Sequence, residues 1–235
     1  MTLNEVMADL QAHGSEQTKK TLARHGAREP FFGVKVEHLK TVVKRVKKDH
    51  ALALALYGTG NTDAMYLAAL ICDPATMTKA QLNTWVKGAY WHSLSCYTVA
   101  WAAAESRFGR ELALSWIDSP KEQVAAAGWS TYAGLLALKP DDELDLDEIV
   151  GLLERIEAGV HSAPNRAKYA MMMFVISVGT YVVPLTTKAK ATAKAVGKVT
   201  VDMGDTDCKV PDALAYIDKV IAMGRQGKKR KTVMC

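Results

Sequence analysis

The stretch Val36-Glu37-His38-Leu39-Lys40-Thr41-Val42-Val43-Lys44-Arg45-Val46-Lys47-Lys48 decides the fold class. Leu39, Val42, Val43 and Val46 recur three and four residues apart, which places them on one face of a helix. The opposite side is lysine and arginine. The same alternation of apolar stripe and charged face extends in both directions. Leu3, Val6, Met7 and Leu10 stripe a first helix ending near Gly14, and Ser15 opens a second that runs to about His25. Downstream, helices are predicted over about 50–57, 62–72, 78–87, 92–106 and 110–117. Others follow from Pro120 to about Leu138, Leu146 to Ala158, Pro164 to Tyr181 and Pro184 to Val196. Asn61 or Thr62 caps the helix at 62–72.

Strand alternation is absent, the helices are 8–20 residues long, and they arrive in pairs. The expected fold is all-α: a single curved stack of antiparallel helical pairs spanning residues 1–224. Lys198 to Val210 has no helical stripe and reads as an ordered loop clasping the last repeat. Asp202, Asp205, Asp207 and Cys208 superficially resemble a calcium loop, but no glutamate stands at the twelfth position. Pro211 opens a last helix, and the basic segment 225–235 is expected to be a disordered tail.

With 235 residues, 49% hydrophobic, and a mean hydropathy of −0.03, the chain has the balance of a globular domain rather than a membrane span. The N-terminus lacks the basic and apolar regions of a signal peptide. Cys72, Cys96, Cys208 and Cys235 form no CxxC pair, so free thiols in a reducing cytoplasm are expected, with no metal site and no cofactor. The net charge of +5 conceals asymmetry: +7 over residues 19–50, −7 over 118–157 and +5 over 225–235. A concentrated basic segment suits a polyanionic partner or a plain solvated face.

Thr84 to Ser95 concentrates Trp85, Tyr90, Trp91 and His92 without a carboxylate. Trp91 suits stacking on a base or packing into the next repeat. His92 is the side chain there able to donate a proton near neutral pH, or else a capping residue. Trp101, Trp116 and Trp129 read as core. Met171, Met172 and Met173 read as adaptable core filler. Gly33 reads as a turn residue with positive φ.

Three segments together carry a family resemblance: Arg24 to Lys40, with Phe31-Phe32-Gly33-Val34-Lys35-Val36 leading into a helix; Tyr90 to Ser95, followed by Trp116 to Ser119; and Ile176 to Tyr181. Over about residues 15–225 the chain resembles the AlkD-like DNA alkylation repair family, part of the HEAT-like repeat DNA glycosylases. The resemblance implies a superhelix of HEAT-like repeats that excises N3- or N7-alkylated purines. Its channel would hold two tryptophans, an aspartate and an arginine. Carried over position by position, Trp91 matches the first tryptophan, but Ser95 stands where the aspartate is expected, Ala126 where the arginine falls and Ile176 near the second tryptophan. No acid occurs in 88–104 and no tryptophan in 163–182. An oxocarbenium-like transition state needs fixed negative charge nearby, and losing one such contact, worth ~3–4 kcal/mol, slows the reaction by roughly 10² to 10³.

The expected function is therefore that of a DNA-alkylation-repair-type protein holding double-stranded, including alkylated, DNA on a basic concave face, with excision impaired. Lys19, Lys20, Arg24, Lys35, Lys40, Lys44, Lys47, Lys48, Arg166 and Lys168 would contact phosphates. The alternatives are a glycosylase with a rearranged site, using Trp91, His92 and a carboxylate from elsewhere, and a non-enzymatic scaffold for a protein partner.

Overall fold

A computed structural model describes residues 1–234. Thirteen α-helices follow one another: α1 (Leu3–Ala12), α2 (Glu16–Arg24), α3 (Val36–Val46), α4 (His50–Gly58), α5 (Thr62–Ile71), α6 (Lys79–Gly88), α7 (Ala100–Ala104), α8 (Gly109–Ile117), α9 (Glu122–Leu138), α10 (Leu146–Gly159), α11 (Asn165–Tyr181), α12 (Thr186–Val196) and α13 (Ala213–Ala222). A π-helical turn, Leu94–Val99, leads into α7. Among the described residues the one β-type pairing is an isolated bridge between Gly14 and Val34. No single helix is long and apolar enough to cross a membrane; α11 and the segment after it form a pair bent by 114°.

Polar side chains start the helices where the sequence places them. Thr2 with Glu5 and Thr78 with Gln81 form reciprocal capping boxes, and Asn61 accepts from the backbone N–H groups of Asp63 and Ala64. The helices then pack in two rows. In the first, α3, α5, the π turn with α7, α9, α11 and α13 each touch the next. In the second, side chains tie neighbours together. Tyr57 of α4 stacks on Trp85 of α6 with ring centroids 4.3 Å apart. Trp116 of α8 donates to Asn83 of α6 at 2.9 Å, and Arg110 of α8 grips Glu148 and Asp145 at 2.7–2.9 Å. Lys188 and Thr192 of α12 hold Glu157 of α10.

The acidic excess of residues 118–157 is largely spent inside this second row and its edge: Asp118 pairs with Arg155, Glu143 with Lys139, and Glu148 also accepts from the Tyr132 hydroxyl. Gly179 lets α13 lie close on α11, since a Cβ there would meet Ile217 Cδ1 at 2.4 Å.

One buried carboxylate organises the N-terminal third. Asp63, 3% exposed, accepts from the backbone N–H groups of Phe32, Gly33 and Val34 at 2.6–3.0 Å. Burial raises its pKa, opposed by those three donors. It fixes the loop in which Gly33 takes φ +77 with Lys19 and Ser15 pressed against it. Replacing Asp63 with Ala leaves three orphaned N–H groups, two of them buried. We expect a loss of about 3 kcal/mol or more in urea unfolding; a loss below about 1 kcal/mol would show that the loop is held by other means.

Candidate nucleic-acid interface

The aromatic stretch singled out in the sequence is structural rather than open. Trp91 is 7% exposed, its Nε1 donates to the His25 carbonyl at 2.5 Å, and it packs edge-on against His92. The expected stacking role for Trp91 is thus corrected: its indole holds the loop after α2 in place. Tyr90 binds both the N–H and the carbonyl of Arg28 and the Thr62 hydroxyl. Burial, together with the charges of Arg166 and His25, pushes His92 down to about 4, so at pH 7 it is the neutral imidazole and not the imidazolium a general acid needs. Ser95 is fully buried and donates to Gln123 Oε1 at 2.9 Å. Of the three acids nearest in sequence, Asp118 pairs with Arg155 and Glu105 with the chain's C-terminal segment, while Glu122 accepts at 3.5 Å from the carboxamide of Gln123, the residue to which Ser95 donates. Ala126 is fully buried in the core.

The basic residues named from sequence are dispersed. Lys20, Lys35, Lys40, Lys44 and Lys47 are exposed. Lys19 pairs with Glu29 at 2.9 Å and covers the Phe31 ring. Arg24 pairs with Asp205, and Lys48 donates to the Cys72 carbonyl at 3.0 Å. Arg166 and Lys168 are half-buried on α11. Asp202, Asp205 and Asp207 gather no metal-ligand set: Asp205 meets Arg24, and Asp202 exchanges backbone bonds with the Asn165 side chain. The loop therefore clasps the start of α11 and reaches across to α2. A different trio, Asp9, His13 and His38, brings ligand-type atoms within 4.8 Å of one another, which no spacing in the sequence announced. Arg45 already holds the Asp9 carboxylate at 2.9 Å and opposes a further positive charge there.

Two concavities stand out, one of about 640 Å³ lined by His13, Ser15, Thr18, Thr21, Lys35 and His38, and an aromatic one on the first row. The second is a groove of about 530 Å³ between the π turn with α7 on one side and α11 and α13 on the other. Ser130, Ala133, Gly134 and Ala137 of α9, three and four residues apart, form its floor, and their small side chains leave the space open. Tyr97 and Trp101 line one wall, with rings 5.6 Å apart and tilted by 52°. Tyr169, Met173 and Tyr181 of α11 and Tyr216 of α13 line the other. Trp101 and Met173, expected in the core, thus face the groove, as does Ile176. Burial raises the hydroxyl pKa of Tyr97 to about 12 and also raises that of Tyr169, so both stay neutral phenols. Arg166 lies near enough for its charge to act on Tyr97 and Tyr169.

The remaining rim comes from the segment expected to be disordered. Residues 225–234 form an ordered strap. Its backbone N–H groups and Lys229 bond the carbonyls left open at the helix C-termini: Gly227 to Thr180 at 2.8 Å, Arg230 to Ala137 at 2.7 Å and Lys229 to Leu136 at 2.9 Å. Lys229 also pairs with Asp141, and Glu105 accepts from Thr232 and from Val233 N–H. Val233 is buried against Ala104 and Ala137. A basic strap is drawn to the negative ends of helix dipoles, which is why this run of cations orders here. Arg225, Lys228 and Arg230 line the groove, no acid lines it, and none of the three has an acidic partner among the described residues. Composition gave the strap's charge, but nothing local in the sequence predicts its long-range anchors.

Two outcomes follow. Glu105→Ala removes both carboxylate bonds to the strap, each worth about 1.5–3 kcal/mol. Limited trypsin digestion should then cut within Lys228–Lys231 at least tenfold faster than in the parent; an unchanged rate would mean the strap is held without Glu105. For His92 the folded pKa lies below the unfolded value of about 6.5. The unfolded chain therefore takes up the proton first, and stability is lost as pH falls from about 6.5 towards 4. His92→Gln should flatten that part of the unfolding profile; an identical slope in the variant would contradict the burial of a neutral imidazole.

Comparison with known proteins places this geometry. Residues 6–207 match the family model described as DNA alkylation repair enzyme. The uncharacterized protein Lin0241 of Listeria innocua is 34% identical over 225 residues, covering 93% of this chain and 97% of the relative. Lmo0209 of Listeria monocytogenes, also described as uncharacterized, is 33% identical over the same share of both chains. A solved structure described as "a new family of proteins related to the HEAT-like repeat DNA glycosylases with affinity for branched DNA structures" superposes with a TM-score of 0.92 at 40% identity, over 100% of both chains. The chain belongs to the DNA alkylation repair enzyme family and has the HEAT-like repeat helical fold.

Proposed function

We propose that this protein binds DNA, with a preference for branched forms, and does not excise alkylated bases. The single observation that carries the reading is the groove: aromatic walls, three cations on its rim without an acidic partner among the described residues, and no acid among its lining residues. The solved relative with affinity for branched DNA, alike over the whole chain, supports it. The absence of excision rests on Ser95, bonded to a carboxamide where the family resemblance calls for a carboxylate, and on the buried Ala126 and Ile176. A serine hydroxyl supplies a dipole and no anion for a departing base. Lys40, Lys44 and Lys47, exposed at the end of α3, add backbone contacts without sequence preference.

The test is a titration of a fluorescent DNA junction over a range of salt. Arg225→Glu, Lys228→Glu and Arg230→Glu together should weaken binding at least tenfold and reduce the slope of log K against log salt by about 2–3. The Lys40, Lys44 and Lys47 glutamate triple should act more weakly. Release of N7-methylguanine should stay at background. Unchanged affinity in the strap triple would remove the groove from the interface, and base release depending on His92 would favour a rearranged glycosylase site.

A further inference from the structure

We infer that the groove holds a short single-stranded stretch of DNA, the unpaired nucleotides at a branch point, with bases laid on its aromatic walls and phosphates on its cationic rim. The inference rests on the DNA-binding reading above and says what enters the site.

Three observations carry it. First, the walls are rings with available faces. Tyr97 and Tyr216 are 39% and 45% exposed and both line the groove, so their rings are open to an occupant. Tyr97 and Trp101 are tilted rather than stacked on each other, which leaves ring surface towards the groove. Only an unpaired base offers its own faces to such rings; in a duplex they are hidden by neighbouring bases.

Second, the cations stand together on one rim: Arg225, Lys228 and Arg230 line the groove where the strap crosses beside Thr180, a run able to meet successive phosphates of one strand.

Third, the size is right and the chemistry is selective. A cavity of about 530 Å³ falls in the range of roughly 300–1,000 Å³ that takes small organic groups, and it is too small for a duplex. The lining has cations and neutral phenols and no acid, which favours a polyanion over a basic peptide. Thr180, which lines the groove, has a buried hydroxyl without a hydrogen-bond partner among the described residues, a group able to meet a polar base edge.

The experiment compares two fluorescent probes on the full chain by anisotropy: a blunt duplex, and the same duplex carrying a single-stranded arm. The parent should bind the armed probe more tightly. Tyr97→Ala and Tyr216→Ala should each cut affinity for the armed probe by roughly 5- to 100-fold, as loss of a base-stacking ring does, and so narrow its advantage over the blunt duplex. Both rings are more than one-third exposed, so their removal spares the core, and Tyr97→Phe should restore binding of the armed probe. Equal affinity of the parent for the two probes, or preference for the arm retained in both alanine variants, overturns the inference and leaves duplex binding standing. Failure of the parent to bind either probe overturns the DNA reading itself.

Discussion

The structure depends on how closely other elements approach α9. Ala125, Ala126, Ala127 and Gly128 sit buried near its start, and a Cβ on Gly128 would lie 2.5 Å from the Ile117 backbone nitrogen. That contact sets α8 against α9 and joins the two rows at mid-chain. On its open side the same helix carries Ser130, Ala133, Gly134 and Ala137, again small. There α7 and α11 pack on either flank of α9, and the missing side-chain volume between them becomes a groove. One helix of small residues thus gives tight packing on one face and a concavity on another, and larger side chains on either face would change both.

Charge follows the same division. Acidic side chains of α10 and its approaches are consumed by Arg110, Arg155, Lys188 and Lys139 in and beside the second row. The open face of the first row receives the strap, whose cations approach helix C-termini where carbonyl oxygens point outward. Anchoring uses Lys229, the backbone and Glu105, and Arg225, Lys228 and Arg230 line the groove without an acidic partner among the described residues. The +5 of the whole chain equals the charge of the C-terminal segment, and the groove is where most of that segment comes to rest.

The helices were legible because periodic stripes run along the chain and polar caps such as Thr2, Ser15, Asn61 and Thr78 start several of them, and the array because the stripes come in pairs. The resemblance of the segments around Phe31–Val36 and Trp91 to the alkylation repair family agrees with the family match and with the fold. The site was far less legible. Trp91 was conspicuous by its neighbours, yet its indole is buried by a bond to a carbonyl 66 residues away, which no local pattern reveals. Trp101 passed for core because it sits among alanines, and those alanines are what make room for the groove. The strap has no apolar period; its order comes from helix ends and from Glu105, 128 residues before Val233. A usable signal did exist: small residues at 130, 133, 134 and 137 facing tyrosines at 169 and 181 mark a helix pair that cannot close fully.

The account describes a repair-family scaffold in which the position expected to hold a catalytic acid is occupied by a buried serine, while an aromatic, cationic groove has been built beside it. Its central claim is that DNA lies in that groove. The most direct measurement is photocrosslinking with a halogenated pyrimidine placed in the unpaired arm of a junction, followed by mass-spectrometric mapping of the attached peptide. Crosslinks should fall on Tyr97 or Trp101, on Tyr169 to Tyr181, or on Tyr216. Adducts confined to the α3 lysines or the loop around Asp205, with the groove untouched, would contradict the account.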